Sequence, residues 1–205
     1  FTLLGRGDSV GKLCRELEEY GLSRVRVYVG ERLGYPEEKI SSGTPSELAA
    51  GNYDGLCVAL IENPEASDAS RSCIADEEFL RGKAPMTKSE VRCLSVAKLH
   101  LPSDAVVYDV GAGTGSVTVE MALQAPDGTV YAIERNAEAC GLIEQNKRKF
   151  CTPNIRVVKG LAPEAMEDLP APTHAFIGGS AGNLKEILEC LLGKNPKIRL
   201  VINTV

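Results

Sequence analysis

Along residues 76–205 the apolar positions fall into two alternating rhythms. Short apolar runs stand at 106–110, 129–133, 155–159, 174–177 and 198–203, each the length of a strand buried in a sheet. Between them, residues 116–125, 137–149 and 183–192 carry the 3.6-residue period of helices, with a shorter helical turn near 163–168. Helix 137–149 is marked at both ends. Asn136 stands as its N-cap and Glu138 in its first turn, with Lys147, Arg148 and Lys149 in its last, charges that suit the helix dipole. Upstream, Thr87-Lys88-Ser89-Glu90 has the form of a capping box and predicts a helix carrying Val91, Leu94 and Ala97. Five strands alternating with helices predict an α/β fold with a doubly wound, mostly parallel sheet.

Residues 1–62 follow a different plan. A strand end at 2–4 leads through the loop Gly5-Arg6-Gly7-Asp8 into a helix bearing Val10, Leu13, Cys14 and Leu17, which Gly21 stops. Residues 24–30 alternate, with Val25, Val27 and Val29 on one side, and 56–61 read as a further buried strand. Thr44-Pro45-Ser46-Glu47 is a second capping box with proline at the first helical position. Residues 62–72 hold Pro, Ser, Ala and charge without an apolar period, which predicts a linker. The domain limits expected are 1–62, a linker over 63–75, and 76–205. The chain opens at Phe1 inside an apolar run and closes at Val205 just after a strand, so a fragment of a longer protein is expected.

Composition changes this picture little. The 205 residues are 43% hydrophobic and 25% charged, ordinary for a folded globular chain. The net charge is −5, and no stretch gathers Lys and Arg into a basic face, which counts against a nucleic-acid partner. No run of about 18 apolar residues is present, so no membrane span is expected. The seven cysteines stand without a C-x-x-C pair. They are expected to be reduced, acting as small apolar residues in a cytoplasmic protein rather than as a disulfide framework or metal site.

The chemistry concentrates where the strand at 106–110 meets the next helix. There Asp109-Val110-Gly111-Ala112-Gly113-Thr114-Gly115 supplies a tight turn, and its bare backbone lets a ligand lie against the helix N-terminus. A turn without a ligand is the plainer alternative. Glu134 ends the second strand, about 20 residues on, where a carboxylate can accept both ribose hydroxyls; the alternative is an exposed strand-end acid. A nicotinamide dinucleotide and S-adenosylmethionine (SAM) would both use that acid. Dinucleotide sites favour Gly-x-Gly-x-x-Gly, whereas here the spacing is Gly-x-Gly-x-Gly. Asp109 would repel a pyrophosphate and suit the cationic amino group of a methionine moiety. SAM is therefore the expected cofactor.

Further stretches point to one family. Arg81-Gly82-Lys83-Ala84-Pro85-Met86-Thr87-Lys88, residues 109–116, residues 132–136 and Phe176-Ile177-Gly178-Gly179-Ser180 resemble the decarboxylating precorrin carbon-15 methyltransferases of cobalamin biosynthesis, Rossmann-like class I SAM-dependent enzymes. Residues 1–62, through Gly30-Glu31-Arg32-Leu33-Gly34-Tyr35-Pro36 and Gly43-Thr44, resemble the second lobe of the precorrin carbon-5 methyltransferases, a partial α/β tetrapyrrole-methylase lobe without the first lobe's SAM loop. The whole is similar to the middle of the fused enzymes acting at carbons 5 and 15.

The resemblance implies that Thr87, Asp109, Gly111, Ala112, Gly113, Thr114 and Gly115 contact SAM and that Glu134 binds its ribose. Gly160, Leu161 and Ala162 would line its adenine, and Gly178, Gly179 and Ser180 would face a tetrapyrrole. Plainer roles stand beside these: Thr87 as a helix N-cap, Gly160 as a strand end, Gly178-Gly179 as a turn. His174 reads as structural and His100 as a surface residue at a helix end. The resemblance also implies homo-oligomers and carbon-15 methylation coupled to loss of an acetate carboxyl as carbon dioxide. No metal and no acid or base residue is assigned. The rival readings are a methyltransferase for RNA or another small molecule, a NAD-binding dehydrogenase, and a non-catalytic SAM-binding fragment.

Overall fold

The computed structural model describes residues 2–5, 8–64 and 72–203 and divides the chain into two units, Phe1–Ala69 and Ser70–Val205. In the first unit, β1 (Thr2–Leu4), β2 (Arg26–Glu31), β3 (Lys39–Gly43) and β4 (Cys57–Glu62) form an antiparallel sheet in the order β1-β4-β2-β3. The alternation in β2 places Val27 and Val29 in one cluster with Val10, Cys14 and Leu17 of helix α1 (Ser9–Glu19). The short helix α2 (Pro45–Leu48) opens at Thr44, whose N–H donates to the Glu47 carboxylate at 2.8 Å. Strand β3 has no counterpart in the sequence reading. Its Lys-Ile-Ser-Ser-Gly run lacks apolar alternation because it lies at a sheet edge, where Ile40 is 66% exposed and backbone pairing holds the strand. Arg6 and Gly7 of the expected loop, and residues 65–71 of the expected linker, lie outside the described residues.

The second unit carries the parallel sheet. β5 (Val106–Val110), β6 (Thr129–Glu134), β7 (Ile155–Lys159), β8 (His174–Ile177) and β9 (Arg199–Ile202) run in the order β7-β6-β5-β8-β9. Its helices are α3 (Ser89–Leu99), α4 (Ser116–Gln124), α5 (Ala137–Lys149) and α6 (Leu184–Lys194), with a 3-10 turn at Glu164–Met166. Successive strand residues feed opposite faces. Val107, Val130, Ile155 and Phe176 pack with Val117 and Met121 of α4 and Ile143 of α5. Tyr108, Val110, Ile133 and Ile177 pack with Ile187 and Leu191 of α6. Both faces are covered, so the strands read as unbroken apolar runs. β9 departs from its expected burial: it is the outermost strand, and Ile202 is 38% exposed.

The segment entering α3 corrects three expectations. Lys88, not Thr87, occupies the N-cap of α3, and no side chain caps the helix. The work of fixing this helix falls to Arg92, which is wholly buried one turn in. Its guanidinium donates to Glu120 of α4 at 2.7 Å, to Asp76 at 3.0 Å, to the Thr87 carbonyl at 2.6 Å and to the Ile74 carbonyl. It also lies 4.7 Å from the centre of the Phe79 ring. Glu120 accepts the N–H groups of Cys73 and Ile74, each at 3.1 Å. Residues 73–75, expected to end the linker, thus pack inside this unit, with Ile74 in its core. The same network brings Cys73 beside α3, where it forms a disulfide with Cys93, contrary to the expectation that every cysteine is reduced.

Candidate active site

The strand order reverses around β5, which pairs with β6 on one side and β8 on the other. A crevice opens at the carboxyl ends of strands at such a reversal. Here the Ile133 carbonyl accepts the N–H groups of Gly111 and Ala112 at 3.0 and 3.2 Å, and the Val110 carbonyl those of Gly178 and Gly179 at 3.0 and 3.2 Å. These bonds tie the loop after β5 to the end of β6 and the loop after β8 to the end of β5. The approach is so close that a Cβ on Gly111 would stand 2.6 Å from the Gly179 carbonyl oxygen, and Gly111 also needs φ +76°. No other residue type meets both conditions.

A cavity of about 410 Å³ lies at this crevice, within the range of small-molecule sites, roughly 300–1,000 Å³. Its lining joins five regions of the chain: Lys83, Ala84 and Pro85 before α3; Gly111 and Gly113; Glu134 through Ala139 in part; and two loops, Gly160-Leu161-Ala162 and residues 178–181. Of the residues expected to hold SAM, the cavity gathers Gly111, Gly113, Glu134, Gly160, Leu161 and Ala162, and of the expected tetrapyrrole contacts Gly178, Gly179 and Ser180.

Thr87, Asp109, Ala112, Thr114 and Gly115 do not line it. Thr114 and Gly115 turn inward. The Thr114 side chain is buried, and Gly115, at φ +79°, packs on Ile143 as the N-cap of α4.

Glu134 is held firmly. One carboxylate oxygen accepts the Gly113 N–H at 3.0 Å and the other the Asn136 N–H at 2.8 Å. A carboxylate has about four acceptor positions, so two remain for hydroxyl donors. Asn136 in turn caps α5, accepting from the N–H groups of Glu138 and Ala139 at 2.8 and 3.1 Å. Asp109 is a correction. Its neighbours Tyr108 and Val110 face α6, so strand alternation turns Asp109 to the other face, beneath the first turn of α4. It is 0% exposed, accepts a hydrogen bond from the Thr118 hydroxyl, and its second oxygen has no partner among the described residues. It does not reach the cavity to meet a ligand amine. Burial pushes its carboxyl up to about 7, against the Thr118 hydrogen bond and with a further rise from the charge of Glu134.

Residues that the sequence reading did not assign to the site complete the wall. Arg135, Asn136 and Glu138 follow Glu134 directly, and Ala181 adopts φ +52°, a conformation that costs a non-glycine residue about 1–2 kcal/mol. The 81–88 stretch was legible as a motif, but its wall-forming residues are Lys83, Ala84 and Pro85 rather than Thr87. Among the described residues, no group of three or more His, Cys, Asp and Glu side chains stands close enough to hold a metal ion, and no helix is long and apolar enough to cross a membrane.

Comparison with known proteins agrees with this geometry. Residues 78–205 match the family of the precorrin methyltransferase domain. A cobalt-precorrin-6B C(15)-methyltransferase (decarboxylating) of Salmonella typhimurium is 43% identical over 132 residues, covering 63% of this chain and 68% of that one. A precorrin-6Y C(5,15)-methyltransferase (decarboxylating) of a Sinorhizobium species is 30% identical over the whole of this chain, which spans half its length. The crystal structure of a precorrin-6Y C5,15-methyltransferase from Geobacter metallireducens superposes with a TM-score of 0.63 at 39% identity, over 66% of this chain and 73% of that one. The sheet order, the crevice loops and these matches agree, and the chain belongs to the precorrin methyltransferase family.

Proposed function

We propose that the second unit methylates carbon 15 of a precorrin, using SAM, and that an acetate side chain of the same substrate is lost as carbon dioxide. The observation that carries the reading is the cradle itself. Gly111 and Gly113 present bare backbone beside Glu134, and the two acceptor positions left on that carboxylate suit the two hydroxyls of a ribose. SAM fits this donor set, with Gly160, Leu161 and Ala162 as the wall for its adenine. When bound, SAM supplies a methyl group already activated on a sulfonium.

The chain's own part is alignment and exclusion of water. Glu134 fixes the ribose, and the Gly111 and Gly113 backbone lets the methionine moiety lie close to the sheet. Gly178, Gly179 and Ser180 line the cavity, and their small size leaves room for the edge of a flat macrocycle. No residue is assigned as acid or base, and Asp109 serves beneath the glycine loop rather than at the ligand. A homo-oligomer in the cytoplasm, with a tetrapyrrole as its only substrate partner and no nucleic acid, belongs to the same reading. So do a first unit ending near residue 62 as a partial carbon-5 methyltransferase lobe and a linker ending before Cys73.

Isothermal titration with S-adenosylhomocysteine and with NAD tests the cofactor. Binding of the first alone is expected, and Glu134→Ala should weaken it by roughly 1–3 kcal/mol. Turnover of precorrin-7 with labelled SAM should release carbon dioxide in step with methyl transfer. Preferred methylation of RNA would overturn the substrate assignment, and NAD binding the cofactor.

A further inference from the structure

The segment leading into α3 and the first turn of that helix carry four cations, Arg81, Lys83, Lys88 and Arg92. Three are committed to acids. Arg81 and Lys88 stand 3.8 and 3.5 Å from Asp76, and Arg92 bridges Asp76 and Glu120. Lys83 has no acid within 4.0 Å among the described residues, and it is the one of the four that lines the cavity.

The Lys83 side chain is exposed, while the backbone on both sides of it is held. Asn146, fully buried on α5, accepts from the Leu80 N–H at 2.9 Å and donates to the Leu80 carbonyl at 3.1 Å. On the other side Arg92, also fully buried, holds the Thr87 carbonyl at 2.6 Å. Between these clamps, the Pro85 carbonyl packs so close to the glycine loop that a Cβ on Gly113 would meet it at 2.8 Å. Two buried polar side chains thus hold the chain on either side of Lys83, at Leu80 and at Thr87. The acids that share the cavity leave it free: both oxygens of Glu134 hold backbone N–H groups, and Glu138 makes no ion pair with Lys83. Arg135 is a second cation of the lining, but Lys83 is the one carried by the held segment, and in a chain of net charge −5 a cation at a cavity with no ion pair to its acids favours an anion there.

We propose that Lys83 is the carboxylate anchor of this cavity. The proposal rests on the methyltransferase reading above. That reading offers two carboxylates, the amino-acid end of SAM and an acidic side chain of the tetrapyrrole, and a lysine ammonium suits either as a point charge.

The test compares Lys83→Gln and Lys83→Arg with the unmodified protein. Titrations use S-adenosylhomocysteine and 5′-methylthioadenosine, which lacks the amino-acid end, and steady-state turnover is measured with the tetrapyrrole. If the cofactor's carboxylate is held, Lys83→Gln weakens S-adenosylhomocysteine about ten-fold, leaves methylthioadenosine unchanged, and Lys83→Arg restores binding. If the acceptor's carboxylate is held, Lys83→Gln leaves both nucleosides unchanged and raises KM for the tetrapyrrole about ten-fold at nearly constant kcat, with the same rescue. Either pattern supports the anchor. It is overturned if Lys83→Gln moves none of these quantities, or if Lys83→Arg loses as much as Lys83→Gln. Absence of nucleoside binding by the unmodified protein would overturn the methyltransferase reading itself, a different result from binding that Lys83→Gln leaves untouched.

Discussion

Replacing Asp109 by Asn should make the protein more stable at alkaline pH. The carboxyl titrates at about 7 in the folded chain against an ordinary 3.8, so the folded state binds more protons than the unfolded state between those values. Its stabilising contribution is therefore complete below about 3.8 and is lost as pH rises through about 7. A gap of about 3 pH units corresponds to about 4 kcal/mol. The first turn of α4 opposes this, because a helix N-terminus favours a nearby anion by up to ~2 kcal/mol. A net of about 2–4 kcal/mol remains. Asparagine cannot ionise, and its side-chain oxygen can still accept the Thr118 hydroxyl hydrogen bond. Its amide donates into space where Asp109 has no partner, at a cost of about 1 kcal/mol.

Urea unfolding of both proteins from pH 4.5 to 8.5 measures the difference. Asp109→Asn should be equal or slightly weaker at the acid end and about 1–3 kcal/mol more stable at the alkaline end. His174 has the opposite sense: burial and then Arg199 lower its value, so its contribution is lost as pH falls below about 6.5. It titrates in both proteins and cancels in the difference. A difference that stays constant across the range, or that disfavours Asn at pH 8.5, would show an ionised Asp109 and refute the argument.

Arg92→Met should cost about 3–5 kcal/mol at neutral pH, because Glu120 would be left buried without its cation. Urea unfolding measures it, and a loss below about 1 kcal/mol would refute the role given to this network. The two crevice glycines should separate. Gly111→Ala, with a Cβ 2.6 Å from the Gly179 carbonyl oxygen, should abolish nucleoside binding. Gly179→Val, whose Cβ meets nothing nearer than 4.0 Å, should keep nucleoside affinity and lose turnover; equal effects on both assays would remove Gly179 from the acceptor side. The Cys73–Cys93 bond spans 20 positions and should contribute about 3 kcal/mol. Denatured protein without reductant should therefore expose five thiols, those of Cys14, Cys57, Cys140, Cys151 and Cys190; seven would refute the bond.

The parallel sheet was legible because burial on both faces leaves apolar runs of strand length. The limits read for 106–110, 137–149, 155–159 and 174–177 are those of the folded elements. The glycine loop and Glu134 were legible because backbone geometry demands those residue types at that turn. What escaped depends on contacts distant in sequence. Arg92 sits in a helix pattern where an arginine ordinarily faces water, and only the arrival of Asp76 and Glu120 explains its burial. Strand β3 is held by backbone pairing, which leaves no side-chain signature. Asp109 lies two residues before the first glycine, a spacing that suggests contact with the ligand. The alternation of β5 turns it away, and an apolar run buried on both faces does not show in its sequence which face each residue takes.

The order β7-β6-β5-β8-β9 has a consequence for how the protein acquires its activity during folding. β6 follows β5 after one helix, whereas β8 joins β5 only when partners 67 positions apart, such as Thr173 and Val106, come together. Pairings of such long sequence separation form slowly, since the loop must close before contacts compensate. The glycine loop and Glu134 come from the early neighbours β5 and β6, and Gly178 and Gly179 arrive with β8. Half of the cavity is thus assembled by local pairing and half by a late, long-range one. A refolding chain should show the β5–β6 part of its sheet before it can close on an acceptor.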